Sequence, residues 1–338
     1  MKITVAVDIM GGDNPASELA AGAVNAANEF KNDLDIILVG TDEALSALSN
    51  LPENVTTCSA VSVVEMTDDP GIVMKEKKDS SLVTAVTLCK EGKADAVVSA
   101  GNTGALFTAS SLIIRRIKGI RRAALGSVIP LDSPFVLLDC GANLDANAEV
   151  LQLYARMGSI YAENVLGINS PRVALLNNGT EPHKGIPIYQ EAYALLSSDE
   201  KINFVGNCEG KAVPFGNCDV LVCDGFTGNI TLKLIEGMGK FMSKTIKGIF
   251  KGAPHALLGG ALTYGRTKSL KKRLDPAEYG GAPFLGLAKP VVKAHGSSDA
   301  YSFRSAIKQV MIYAQSGMID KIAEAMKKTQ PEGEGTEK

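Results

Sequence analysis

Short apolar runs rich in Val, Ile and Leu alternate along this chain with longer stretches whose apolar positions recur every three or four residues. The short runs at 3–9, 35–39, 94–98, 124–129, 135–139, 172–176, 202–205, 219–223 and 290–294 predict strands. They are continuously apolar rather than alternating, the pattern of strands buried on both faces of a parallel sheet. Helical periodicity covers 16–30, 81–91, 104–117, 147–165, 186–197, 228–250 and 299–327. Strand followed by helix, repeated in this way, predicts an α/β fold: three layers, α/β/α, around a mostly parallel sheet. The segment 329–338 carries almost no apolar residue and is expected to be a disordered tail.

Two stretches depart from simple alternation. Residues 251–277 read as an insertion, apolar at Ala256, Leu257, Leu258 and Leu262, then basic at Arg266, Lys268, Lys271, Lys272 and Arg273. Such a patch must be covered by something: a dimer partner, which is the leading expectation, a membrane surface or an acidic carrier protein. The second is an internal echo. ADAVVSAGNTGAL (94–106) matches CDVLVCDGFTGNI (218–230) at a constant offset, pairing Thr103-Gly104 with Thr227-Gly228. A Thr N-cap after a tight turn explains that match without common origin, and either account gives two helix N-termini that favour an anion.

Four Gly/Asn/Thr loops directly follow strand-like runs: SAGNTGA (99–105), DCGAN (139–143), NNGTE (177–181) and DGFTGN (224–229). In open α/β sheets ligands sit at the carboxyl ends of strands, and small uncharged donors there suggest one shared oxyanion pocket. Composition narrows the chemistry. Lys+Arg 35 against Asp+Glu 37 leaves a net charge of -2 over 338 residues, which gives no general pull toward nucleic acid. Six cysteines form no CxxC pair and read as buried reduced thiols of a cytoplasmic protein, and no apolar stretch is long enough to span a bilayer. Walker-type GxxxxGK[ST], GxGxxG and GxSxG motifs are absent, and three histidines without ligand spacing make a metal site unexpected.

Anion loops without an evident nucleophile suggest that the anion itself attacks. Phosphate needs only to be held beside an electrophile, with further donors for the oxyanion that forms. A thioester fits, because a thiol with a pKa near ~8.5 leaves without a strong general acid. Lys184 is the candidate cation, with Glu181 expected to fix it through a charge pair. Asn229 is the candidate amide donor to the carbonyl oxygen, or else a plain helix cap. Asn102, Thr103, Gly104, Asn143, Thr180, Thr227 and Gly228 are placed alike in the anion loops, and His295 is either structural or catalytic. Asp8 and Asp13 flank the first Gly-Gly turn and read as organisers of backbone amides.

VDIMGGD (7–13), SAGNTGA (99–105), RIKGI (116–120), LLDCGAN (137–143), GTEPHKG (179–185), DGFTGN (224–229), YGGAPFLG (279–286) and KAHGSSD (293–299), in this order, resemble the bacterial phosphate acyltransferases of phospholipid synthesis, the PlsX family. Asn14, Ala123 and Cys140 depart from the family pattern without removing a proposed donor. The resemblance implies a fold similar to isocitrate and isopropylmalate dehydrogenases, with residues 1–328 forming one domain of two lobes around a cleft. It also implies conversion of acyl-[acyl-carrier-protein] and inorganic phosphate to acyl-phosphate, which feeds a membrane glycerol-3-phosphate acyltransferase. No cofactor or metal is implied. Lys184 and Asn229 would be catalytic; Asn102, Thr103, Asn143, Thr180 and His295 would line the site. A homodimer in the cytoplasm, with peripheral contact at the inner face of the membrane, completes the expectation. An acyl-CoA phosphotransacylase, a nicotinamide-dependent dehydrogenase and a carrier- or lipid-binding regulator are the rivals.

Overall fold

The computed structural model describes residues 2–131, 133–250, 254–273 and 280–327. In chain order these form β1 (Ile3–Asp8), α1 (Ala16–Glu29), β2 (Leu34–Gly40), α2 (Asp42–Ser46), β3 (Val55–Ser59), α3 (Ser81–Lys90), β4 (Ala96–Ser99) and α4 (Thr103–Ile113). There follow β5 (Ala124–Ile129), β6 (Phe135–Leu138), α5 (Ala148–Asn164), β7 (Arg172–Asn177), α6 (Pro187–Ser197), β8 (Asn203–Glu209) and β9 (Val220–Val222). The chain ends with α7 (Gly225–Ile249), α8 (Pro254–Arg273), β10 (Gly281–Leu285), β11 (Val291–Ala294), α9 (Ala300–Gln315) and α10 (Met318–Lys327). The expected tail 329–338 lies outside the described residues.

All the strands join one sheet in the order β3-β2-β1-β4-β11-β10-β5-β6-β9-β7-β8. The first five are mutually parallel, as are the last four. Between them β10 runs antiparallel to both β11 and β5, and β5 antiparallel to β6. The two parallel blocks therefore run in opposite senses. Each interstrand step adds roughly 20–25° of twist, so the four steps from β4 to β6 turn the blocks by about a right angle. Reversal and twist together bring the carboxyl ends of both blocks to one cleft.

Alternation along each strand feeds two cores. On β1, Ile3, Val5 and Val7 join the first and Ala6 the second; on β6, Val136 and Leu138 face one side, Phe135 and Leu137 the other. Helices α1, α5, α6, α9 and α10 cover the first face; α3 and α4 cover the second. The three-layer architecture is as the apolar runs predict.

Several boundaries differ for identifiable reasons. β10 contains Gly281 and Pro283 and is apolar for too short a run to announce a strand. The single helical pattern 299–327 is two helices, divided at Gly317, whose φ of +64° ends α9. The stretch read as an insertion is mostly α8, whose Gly260 packs on Phe250, the residue that caps the end of α7. The two echoed strands align, but their helices do not. Asn102 caps α4, so Thr103 is its first residue, whereas Asp224 caps α7 and Thr227 is its third. Neither threonine is the N-cap.

Candidate active site

A cleft of about 1160 Å³ opens between α4 and α7 above β5 and β10. One wall carries Asp13 from the turn after β1, Thr103, Gly104 and Phe107 of α4, and Lys293 to Ser298 at the end of β11. The other carries Cys140 to Ala142 after β6 and Asn229, Leu232, Lys233 and Glu236 of α7. Two strands separate β11 from β6, so the backbones of the walls stand ~14 Å apart at three spacings.

On the second wall Asp139 sets the loop. Its buried carboxylate accepts hydrogen bonds from the N–H groups of Leu125, Gly141, Ala142 and Asn143 at 2.8–3.1 Å. Burial still pushes its pKa up. Gly228 lies so close beneath that a Cβ there would stand 1.9 Å from the Asp139 carbonyl oxygen. That approach seats the next residue, Asn229, against Gly141. The Asn229 amide has no protein hydrogen-bond partner among the described residues and is free to serve a ligand. Cys140 is inert: its thiol donates to the Leu137 carbonyl at 3.2 Å, and burial pushes its pKa well above the ordinary value.

On the first wall, the Ser297 N–H donates to His295 Nδ1 at 3.2 Å and the Ser297 hydroxyl lies 2.8 Å from the same nitrogen. An Nδ1 that accepts puts the proton of neutral His295 on Nε2. Lys293 is buried behind it, its ammonium donating to the carbonyls of Ala100 at 3.0 Å and Ala294. Burial lowers its pKa to about 8, opposed by the fields of Asp13 and Asp8. Asp8 itself is buried, accepting from Ser99 Oγ at 2.7 Å and the Met10 N–H at 3.1 Å.

Of the residues expected from sequence, the cleft brings together Thr103, Gly104, Asn229 and His295. Asn102 and Asn143 are nearby but fully used as struts. Asn102 accepts from the Ala105 N–H and donates to the carbonyls of Met66 and Asp68. Asn143 donates to Ala123, Asp139 and Tyr154. Thr227 is held in the α7 cap, donating from N–H and hydroxyl to Asp224, whose carboxylate also takes the Tyr189 hydroxyl. Gly228 lies beneath the loop as described.

Thr180, Glu181 and Lys184 do not line the cleft. They sit on the loop after β7, the strand next to β9 on the same carboxyl edge, so three of the four anion loops converge rather than four. Asn177, Asn207 and Gln190 stitch that loop through the carbonyls of Lys184, Glu181 and His183. The Lys184 stem packs on Gly179, and no direct ion pair joins it to Glu181 among the described residues. The Glu181 carboxyl is held low first by its own backbone N–H, with Lys184 adding a field effect. Lys293 has no role in the sequence reading, although it lies inside the quoted KAHGSSD motif, and Ser298, a candidate cap by sequence, leaves that place to Asp299. A lysine one residue from a strand end reads as solvated unless its burial is known.

This fold and cleft define a class. The chain superposes on a phosphotransacetylase from Streptococcus pyogenes with TM-score 0.61, 18% identity and coverage of 93% of this chain and 94% of the other. It also superposes on a 4-hydroxythreonine-4-phosphate dehydrogenase from Klebsiella pneumoniae with TM-score 0.54 and 15% identity over 93% and 100%. At such identities the likeness defines the fold alone, a dehydrogenase-like α/β architecture. The sequence is more particular. Residues 3–321 match the family model described as fatty acid synthesis protein. Phosphate acyltransferases of Clostridium perfringens and Staphylococcus aureus are 43% and 44% identical over 329 and 326 residues, covering 96% of this chain and 97% and 98% of theirs. The chain belongs to this family and is a transferase.

Proposed function

We propose that the protein transfers an acyl group from acyl-[acyl-carrier-protein] to inorganic phosphate, giving acyl-phosphate for phosphatidic acid synthesis. The observation that carries this reading is a cleft with neutral donors on both walls and a cysteine locked as a hydrogen-bond donor. Phosphate held at the Thr103 and His295 wall attacks the thioester carbonyl, whose developing oxyanion takes the Asn229 amide. The C–O bond to phosphate forms, the C–S bond breaks, and the proton of HPO4²⁻ ends on the leaving thiolate. Phe107, Leu125, Val128 and Leu232 supply an apolar wall, and a cleft of about 1160 Å³ exceeds what phosphate alone needs, leaving room for an acyl chain. Lys184 acts on turnover from the neighbouring loop, where its stem on Gly179 leaves a movable charge.

Lys233, Lys240, Lys244 and Lys247 repeat along the cleft side of α7 and fit an acidic carrier protein. The apolar side of α7 fits a second copy of the chain, and the exposed Leu258, Leu262 and Tyr264 of α8 fit a peripheral membrane contact that would place the product near a membrane glycerol-3-phosphate acyltransferase. No helix of the described residues is long and apolar enough to cross a membrane.

The test is direct. Acyl-carrier protein incubated with enzyme and phosphate is expected to yield a product trapped by hydroxylamine as hydroxamate, in step with thiol release. Thiol release indifferent to phosphate would defeat the proposal, and equal turnover of acyl-CoA would move it to a phosphotransacylase of smaller thioesters. The 2.8 Å contact between Ser297 and His295 favours a second reading, in which the serine is acylated first. That reading requires a burst of thiol without phosphate and an acyl mass on Ser297.

A further inference from the structure

Lys293 is the penultimate residue of the buried strand β11 and only 7% exposed, yet it lines the cleft. Its ammonium is held by two backbone carbonyls, of Ala100 and Ala294, and no carboxylate forms a direct ion pair with it among the described residues. An ammonium has three N–H bonds; two are placed by the protein and one is left. Asp8 and Asp13 act on it through space: Asp8 is turned to Ser99 and Met10, and Asp13 lies at the cleft wall. A buried cation without a contacting anion is costly unless something else completes its charge balance.

A second observation marks the same place. Ser298, directly before Asp299, the N-cap of α9, is 1% exposed and lines the cleft, and its hydroxyl has no hydrogen-bond partner among the described residues. Buried hydroxyls are nearly always satisfied, so an orphan at a cleft wall is one whose partner arrives with the ligand. Between Lys293 and Ser298 stands His295, with Nδ1 occupied and Nε2–H available. One six-residue segment, Lys293 to Ser298, thus offers an ammonium, a hydroxyl and an imidazole N–H to the same cleft.

We infer that Lys293, with Ser298 beside it, is the residue that grips inorganic phosphate for attack on the thioester. The inference rests on the proposed reaction and divides labour between two lysines: Lys293 binds the nucleophile, Lys184 acts on turnover. Its burial-lowered pKa of about 8 keeps it cationic at neutral pH. The chemistry recognised is a phosphate oxyanion, which could also belong to the phosphodiester of the carrier's pantetheine arm, so both substrates are varied.

The experiment measures thiol release by the full-length protein, titrating phosphate at saturating acyl-carrier protein and the reverse. Lys293→Met is expected to raise the KM for phosphate at least tenfold and leave the KM for acyl-carrier protein within threefold. Lys293→Arg should restore part of the loss, and Ser298→Ala should raise the phosphate KM about threefold. Phosphate should raise the melting temperature of the wild type and not that of Lys293→Met. If Lys293→Met does not fold, the Arg and Ser298→Ala variants carry the same comparison. An unchanged phosphate KM in the folded variants overturns the inference. So does a rise confined to acyl-carrier protein, which would assign the site to the phosphodiester, or a larger phosphate KM in Lys184→Ala than in Lys293→Met. A wild type whose thiol release ignores phosphate instead defeats the underlying reaction.

Discussion

Burial pushes the Asp8 carboxyl up to about 6, against the Ser99 hydroxyl, the Met10 N–H and the field of Lys293. A folded-state pKa above the ordinary 3.8 means the folded protein holds that proton more tightly than the unfolded chain. The stabilisation this gives is complete below about pH 4 and is lost as pH rises through about 6. Asp8→Asn should therefore gain on the wild type across that window, by up to ~3 kcal/mol, and run parallel to it above. Urea unfolding at half-unit pH steps checks this; a constant difference from pH 4 to 7 would refute it. Gly228 provides a second test at the same scale. Gly228→Ala puts a methyl against the Asp139 carbonyl, and must either move the Asn229 turn or cost several kcal/mol of strain. A lower melting temperature and loss of turnover are expected together. Sequence showed which loops carry small donors, and Thr103, Gly104, Asn229 and His295 do meet in the cleft. It could not show that Asn102 and Asn143 spend their amides on partners within the protein, because strut and ligand donor have the same composition. Lys293 was hidden for the converse reason: its function lies in being buried.

At the level of elements, β5 spans the residues its apolar run predicts, and α1, α3, α5 and α6 start and stop within a residue of theirs. These elements each pack one periodic face or bury both, so local pattern and tertiary environment agree. β10 was not legible, because a five-residue strand containing glycine and proline owes its pairing to β5 and β11 rather than to its own propensity. The start of α7 was misplaced by three residues because Asp224, not Thr227, makes the cap. Once placed, α7 presents two contrasting faces, one basic and one apolar. Lys233, Lys240, Lys244 and Lys247 fall on one side of the helix over ~21 Å, a row that matches an acidic protein surface better than a single small anion. Lys240→Glu with Lys244→Glu is expected to raise the KM for acyl-carrier protein more than tenfold and to alter that for acyl-CoA less than threefold. Equal effects on both thioesters would place these lysines on the pantetheine arm rather than the carrier.

For the whole molecule, the other face of α7 is the surface on which the proposed dimer rests. Ile230, Leu234, Met238, Phe241, Met242 and Ile249 are all exposed along it, while only Gly225 and Gly228 of the helix are buried among the described residues. A helix of 25 residues is ~37 Å long, and an apolar stripe running most of that length is far larger than the patches monomers ordinarily leave in water. A second copy can cover it with its own α7, since a twofold contact needs one self-complementary surface. The next helix, α8, leaves Leu258, Leu262 and Tyr264 exposed. Charge placed in the two patches separates their roles. Leu234→Glu with Phe241→Glu should convert a dimer to monomers in sedimentation velocity, with loss of turnover wherever the cleft depends on α7 being held. Leu258→Glu with Leu262→Glu should leave the dimer intact and release the protein from anionic vesicles in flotation. Were the wild type monomeric at micromolar concentration, the stripe would need another cover. Were the α8 variant to dissociate instead, the dimer surface would extend over the patch assigned to the membrane.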